Sequence, residues 1–350
     1  MSLLGFLWWS SLVFGAAALA WMVWLIGARL LRARRDARLG LDQARMRRLF
    51  LEIMDGHVDA VRQLNGPSRR ARLTAEAILD IAGLVRGHER ERLVSALSGL
   101  GVEERLRRRL RRGSRAGRIA AAEALAVFPN PANAAALRQA LAAARDPEFR
   151  VAALNALLAL DEAPPLWDLL ADVSSRGLQD SLLYESVVRT MVARAPDQAL
   201  TVFTDPEASL VMRTIVADAL GRSGDYRAVP ALMAAIPGAD LELRIACIRA
   251  LGALAHPAAE PAVVAGFADE AWEVRAASAE AAGRIGLVSA APLLVQALAD
   301  GVWWVRFRSG EALNALGDKG VASLRLAAGV GQDVVRRAAS LALAERGVPA

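Results

Sequence analysis

With 350 residues, 55% of them hydrophobic but only 5% aromatic, the chain is long enough for two domains or one extended array and is rich in the residues of alanine-leucine helices. Its formal charge of +6 hides an asymmetry: residues 1–118 hold 23 arginines against 11 acids, a surplus of twelve, and residues 119–350 hold 20 basic against 26 acidic residues, a deficit of six. The one cysteine, Cys247, excludes an intramolecular disulfide, and His57, His88 and His256 lack the paired spacing of a zinc framework.

From Leu3 to Ala28 there is no charged residue. As a helix, such a segment reaches about 39 Å and would cross a hydrocarbon core of about 30 Å with some tilt. Trp8, Trp9, Trp21 and Trp24 fall toward its ends, where indole rings prefer the interface. No basic residue precedes the run, which argues against a cleaved signal peptide. The arginines that follow it (Arg29, Arg32, Arg34, Arg35 and Arg38) predict a single-pass span over 1–30, with the N-terminus outside a plasma (inner) membrane and the remainder cytoplasmic.

Residues 31–112 read as a basic juxtamembrane helical cap. Apolar residues recur there at three- and four-residue spacing, interrupted by D-G-H and N-G-P-S. The cap ends in R-L-R-R-R-L-R-R-G-S-R, which supplies Arg105, Arg107, Arg108, Arg109, Arg111, Arg112 and Arg115. Leu106 and Leu110 give this helix a narrow apolar stripe. On the expected cytoplasmic side, its guanidiniums would face anionic lipid or an acidic partner, and a merely solvated capping helix is the alternative.

From 113 to 350 the chain repeats. An arginine followed six and seven residues later by Ala-Leu or Ala-Ala recurs at Arg118, Arg150, Arg213, Arg244, Arg275, Arg306 and Arg336, with Leu182 in the slot of a degenerate unit. Adjacent slots are 30 to 32 residues apart, the period of a two-helix unit that buries its apolar face only by stacking on its neighbours. About eight such helix pairs are expected.

This pattern resembles the HEAT-repeat family, in particular the short units of the phycobilisome-lyase type, whose aspartate six residues before the arginine falls here on Asp269 and Asp300. The resemblance implies an all-α, right-handed α-solenoid, preceded by the N-terminal span. It also implies that the recurring arginines tie one repeat to the next through hydrogen bonds with acids. Stacked helix pairs host many roles, so the resemblance speaks to architecture.

Three features of the array are candidate partner surface. Five residues after the arginine stands a mainly acidic row, with Glu123, Asp218, Glu280 and Glu311, beside a partly apolar row at plus one that includes Phe307. Trp272 and Trp303 recur one repeat apart, with Trp304 adjacent, and packing between neighbouring turns is as good a reading for them as binding. Cys247 occupies a slot otherwise held by small residues or valine, which predicts a buried structural cysteine.

No phosphate-binding loop, dinucleotide fingerprint, zinc-protease motif or nucleophile elbow occurs, so no catalytic, metal or cofactor residue is nominated and no enzyme or small-molecule substrate is expected. The expectation is a membrane-tethered cytoplasmic scaffold for membrane-associated protein partners. By analogy with anchored HEAT-like proteins, its client would be an enzyme such as a polysaccharide-synthesising glycosyltransferase. Two alternatives are nucleic-acid binding, against which the acidic array argues, and a lyase-type enzyme.

Overall fold

The computed structural model describes residues 21, 22, 24, 29, 78, 87–99, 101–177 and 182–347. Among them every regular element is helical: seventeen α-helices, two 3-10 turns and no strand. The chain divides into two compact units, 1–162 and 163–350.

The first unit holds α1 (His88–Gly99), α2 (Val102–Arg112), α3 (Arg115–Leu125), α4 (Pro131–Ala143) and α5 (Pro147–Ala159). Local chemistry sets their starts. Ser114 caps α3 by accepting from Gly117 N, Asn130 caps α4 by accepting from Ala132 N, and α4 and α5 both open on proline, whose missing N–H costs nothing in a first turn. Helix α3 packs on α5 and α2 on α4, giving two rows. Leu106, Leu110, Leu125, Phe128, Leu137 and Phe149 lie in the core between them.

The second unit holds α6 (Leu166–Ser175), α7 (Leu182–Arg194), α8 (Pro196–Thr204), α9 (Leu210–Ser223), α10 (Ala228–Ala235), α11 (Leu241–Leu254), α12 (Glu260–Gly266), α13 (Trp272–Ile285), α14 (Ala291–Ala297), α15 (Trp303–Ala315), α16 (Asp318–Val330) and α17 (Asp333–Glu345). Odd-numbered helices from α7 to α17 stack in sequence, each also packed on the even-numbered helix beside it. This is the repeat array, and in α9, α11, α13, α15 and α17 the recurring arginine is the fourth helical residue. Helix α7 begins at Leu182, whose side chain lies outside the described residues.

Small residues set the spacing of the odd row. A Cβ at Gly221 would lie 2.6 Å from Ala250 Cα, one at Gly252 2.8 Å from Ala281 Cα, and one at Gly283 2.8 Å from Ala312 Cα. Each glycine stands eight residues after its arginine, and each alanine six after the next. At the last interface Asn314 takes the glycine's place and donates to Ala342 O at 2.7 Å. The arginine period brings out the alanine column but not the glycine column, although A-L-G, A-L-G and A-A-G carry it.

The expected membrane protein is corrected here. No helix among the described residues is long and apolar enough to cross a membrane. Fourteen residues is the longest, about 21 Å against a core of about 30 Å. The Leu3–Ala28 segment lies outside the described residues apart from Trp21, Met22 and Trp24. A single-pass plasma-membrane placement, with the N-terminus outside and the repeats cytoplasmic, is therefore not upheld.

Candidate functional site

Most of the arginine-rich run has partners within the fold, and one of its side chains is drawn inward. Arg107 turns inward: its Nη1 donates to Asn133 Oδ1 at 2.6 Å, and its Nη2 lies 3.0 Å from Glu104. Beside it Glu103 accepts from Ser98 Oγ at 2.7 Å, Asn130 Nδ2 at 2.8 Å and Asn133 Nδ2 at 2.7 Å. Glu103 and Asn133 are buried, so this node of α1, α2 and α4 is stable because its polar groups have partners.

Arg109 packs over Gly113 and Gly117. Arg105 Nε reaches the Gly101 carbonyl at 3.5 Å. Arg108 and Arg111 share Glu104, at 3.3 and 3.7 Å, and hydrogen bonds from Arg107 and Arg108 hold that carboxyl below its ordinary pKa. Arg115 grips Asp146 at 2.7 and 3.0 Å and also meets Glu148, and its hydrogen bond draws the Asp146 carboxyl down. Arg112 is exposed. What the sequence presents as one basic face is divided: Arg107 turns inward, while Arg108, Arg111, Arg112 and Arg115 stay exposed, three of them in surface ion pairs.

The repeat arginines cap helix ends. Arg118 donates to Leu110 O at 3.0 Å and lies 4.2 Å over the Phe149 ring. Arg150, buried, donates to Leu141 O and Ala144 O. Arg213 donates to Phe203 O at 3.1 Å. Arg336 pairs with Asp333 within its own helix.

From α11 to α15 the capping becomes a ladder. Arg244 lies on Asp269, with Nη2 3.2 Å from Oδ1, and Arg275 binds Asp300 through Nε at 2.8 Å and Nη2 at 3.1 Å. Each aspartate meanwhile accepts from the backbone two residues on, Asp269 from Ala271 N and Asp300 from Val302 N. The following arginine returns to that aspartate's carbonyl, Arg275 to Asp269 O and Arg306 to Asp300 O. Each carboxylate therefore serves the preceding repeat, while its backbone serves the arginine six residues later. Burial pushes the Asp300 carboxyl up, but the bonds from Arg275 and Val302 N more than offset this, and the net pKa is lowered.

Cys247 is fully buried in α11, and desolvation pushes its thiol up to about 12, far from a reactive thiolate.

The candidate acidic row is largely neutralised. Asp218 pairs with Arg222, which also holds Glu185. Glu280 pairs with Arg284 and lies 3.7 Å from Arg308, and Arg308 bonds Glu311 at 2.8 Å. Glu123 is the row's member in the first unit, where burial raises its carboxyl above the ordinary value. Among the described residues no group of three or more His, Cys, Asp or Glu side chains is placed to hold a metal.

The aromatics come together. Trp303 stacks on Phe307, one turn along α15, with centroids 5.0 Å apart and planes 17° apart, and Trp304 meets Trp303 edge-on at 4.7 Å. Trp303 remains 46% exposed and Trp304 49%, while Trp272 stands at 36% on α13 without a ring contact to them. Beside the cluster a cleft of about 260 Å³ runs between α15 and α17, floored by Gly310, Ala338 and Ala342 and walled by Trp303, Phe307, Val334 and Leu341. Val334 and Leu341 are exposed. From sequence Trp303 and Trp304 are open equally to packing between turns and to binding, with Phe307 nominated in the plus-one row, and the opposite wall cannot be found there because it needs the pairing of α15 with α17.

A family profile agrees with the repeat reading over part of the second unit. Residues 235–314 and 261–344 match the profile of HEAT repeats. No curated protein matches the chain by sequence. Among solved structures the chain is similar to the complex of CpcE and CpcF of phycocyanin lyase from Nostoc sp. PCC7120, at 22% identity over 59% of this chain and 75% of that one, with a TM-score of 0.34. It is also similar to human deoxyhypusine hydroxylase in complex with glycerol, at 22% identity over 78% and 96% with a TM-score of 0.30. Kap121p bound to Nup53p aligns at 12% identity over 86% of this chain and 41% of that one, with a TM-score of 0.43.

Proposed function

We propose that this chain is a non-catalytic protein-binding scaffold whose principal contact surface is the aromatic cleft between α15 and α17. The observation that carries this reading is the stacked Trp303–Phe307 pair with Trp304, half-exposed at the mouth of a cleft whose far wall is the exposed Val334 and Leu341. Rings held against one another lose little side-chain freedom on binding. Covering the remaining face of one indole, about 100 Å², contributes about 2.5 kcal/mol, the scale of an interface hot spot. The repeats supply a rigid frame for this surface, and many of their arginines and acids are paired with one another in holding it.

The reading stops at a protein partner. The narrower client expected from sequence, a glycosyltransferase at the membrane, rested on the anchor and is dropped with it. Nucleic-acid binding gains no support from the arginine run, since most of its guanidiniums already have partners in the fold.

A displayed random-peptide library selected on the full-length chain tests the reading. Ligands should emerge whose binding is lost in Trp303→Ala and kept in Trp272→Ala. Ligands indifferent to Trp303, or none, would sink it.

A further inference from the structure

The two candidate rows change places in the last repeat. From Arg118 to Arg306, the regular units carry Ile119, Val151, Thr214, Ile245, Ala276 and Phe307 at plus one, and Glu123, Asn155, Asp218, Arg249, Glu280 and Glu311 at plus five. In α17 the plus-one residue is Arg337 and the plus-five residue is Leu341. Apolar surface thus passes diagonally from Phe307 across to Leu341, and a cation stands where the array elsewhere places an apolar or small side chain.

The charges in and around the cleft are unequally matched. Glu280 and Glu311 have arginine partners, and Asp333 is held by Arg336. Arg337, exposed on the cleft's wall, has no hydrogen-bond or ion-pair partner among the described residues. Arg306, also lining the cleft, directs only Nη1 to carbonyls, those of Asp300 and Gly301. The one carboxylate in the lining is Glu345. It lies eight residues along α17 from Arg337, about 12 Å by helical rise. The Trp303 end therefore presents two guanidiniums beside an apolar slot, and the far end a single carboxylate.

On the reading of this cleft as a protein-binding surface, we infer that its partner is an acidic peptide segment with an apolar anchor: a large apolar side chain enters between Trp303–Phe307 and Val334–Leu341, and a neighbouring carboxylate meets Arg337 and Arg306. A guanidinium offers a carboxylate two parallel donors, so the pairing fixes direction as well as charge. A basic segment would set its cations against both arginines, with only Glu345 to meet. Opposed like charges of this kind exclude wrong partners more strongly than matched ones add affinity.

Two fluorescein-labelled peptides with identical leucine spacing, one with glutamate and one with lysine at every polar position, test this by anisotropy on the full-length chain. The glutamate peptide should bind about tenfold more tightly, with an advantage that shrinks as added salt shortens the screening length from about 10 Å to about 3 Å. Arg337→Glu should reverse the preference and Arg337→Gln remove most of it. Both substitutions alter an exposed side chain, and circular dichroism checks that the fold is intact. Trp303→Ala should weaken both peptides together. Equal binding of the two peptides, or a preference unmoved by Arg337→Glu, overturns the acidic partner while Trp303 dependence leaves the docking surface standing. Failure of both peptides to bind overturns the inference, and the library selection then decides the surface separately.

Discussion

The two units hold their helices together by different chemistry. In the first, α1, α2 and α4 meet at a buried carboxylate, with Glu103 accepting from Ser98, Asn130 and Asn133. In the second, α9, α11, α13 and α15 meet backbone against side chain through Gly221, Gly252 and Gly283, with an Arg–Asp ladder along one end from α11. A polar node fixes one arrangement of three particular helices. A glycine column and an ion ladder can be copied from repeat to repeat, and the even 31-residue spacing from Leu182 to Arg306 falls in the unit that holds them.

The difference predicts where each unit breaks. Glu103→Ala removes the acceptor of three donors at once and leaves the buried Asn133 amide with only Phe128 O as acceptor for its two N–H groups, and at about 1–3 kcal/mol for a buried unsatisfied group the expected cost is about 3 kcal/mol. Chemical denaturation of the full chain should show this as an early transition, with the second unit's transition unmoved. Coincident loss of both units would show that they do not unfold separately and would erase the distinction.

Gly252→Ala attacks the second unit in its own terms. The new Cβ would sit 2.8 Å from Ala281 Cα and 2.9 Å from its Cβ. Helix α11 or α13 has to move, at about 2 kcal/mol for an overpacked contact. The same substitution at Gly99, with nothing within 4 Å of its Cβ, should stabilise by a few tenths of a kcal/mol through helix propensity. Opposite signs at two helical glycines are the measurement. Destabilisation at both would attribute the effect to something other than close approach.

How much of this was legible follows from the same contrast. The arginine period located the starts of α3, α5, α9, α11, α13 and α15 because one residue type at one register position does one job, covering carbonyls at or just past the preceding helix end, while in α17 Arg336 keeps the position but pairs with Asp333 of its own helix. The ladder was half legible: Asp269 and Asp300 stood out, but a single sequence does not say that the carboxylate and the carbonyl of one aspartate serve different repeats. The node was illegible. N-P-A-N reads locally as an N-cap and a proline, and that Asn130 and Asn133 turn to Glu103, 27 and 30 residues earlier, is long-range information. The inward turn of Arg107 was missed for the same reason. Arg107 is four residues from Glu103 and three from Glu104, and that spacing already argued for an inward pair over a free basic face.

Acid should find the ladder. The Asp300 carboxyl titrates below its ordinary value in the folded chain. Its contribution is therefore complete above an unfolded pKa of about 4 and is lost as pH falls through the lower folded value. Melting followed between pH 6 and pH 3 should show the second unit weakening toward the acid end, and Asp300→Asn should flatten that slope. Near neutral pH, a double-mutant cycle on Arg275 and Asp300, whose side chains are 20% and 13% exposed, should give a coupling of about 1.5 kcal/mol, as for a hydrogen bond to a charged group. A slope unchanged by Asp300→Asn would remove the ladder from the account of stability.

Arg115 and Asp146 in the first unit make the same bond in different surroundings. Their distances, 2.7 and 3.0 Å, match the 2.8 and 3.1 Å of Arg275 and Asp300, and both pairs join one repeat to the next. Arg115, however, is 62% exposed, so water and salt screen its attraction and side-chain ordering opposes what remains. The same cycle on this pair should give a coupling within experimental error at physiological salt, and Arg115→Ala should leave melting unchanged. Equal couplings for the two pairs would mean that bidentate geometry decides their strength. Unequal couplings would mean that burial does, and that the ladder of the second unit holds because its aspartates sit in the turns between packed helices and not because its bonds are shorter.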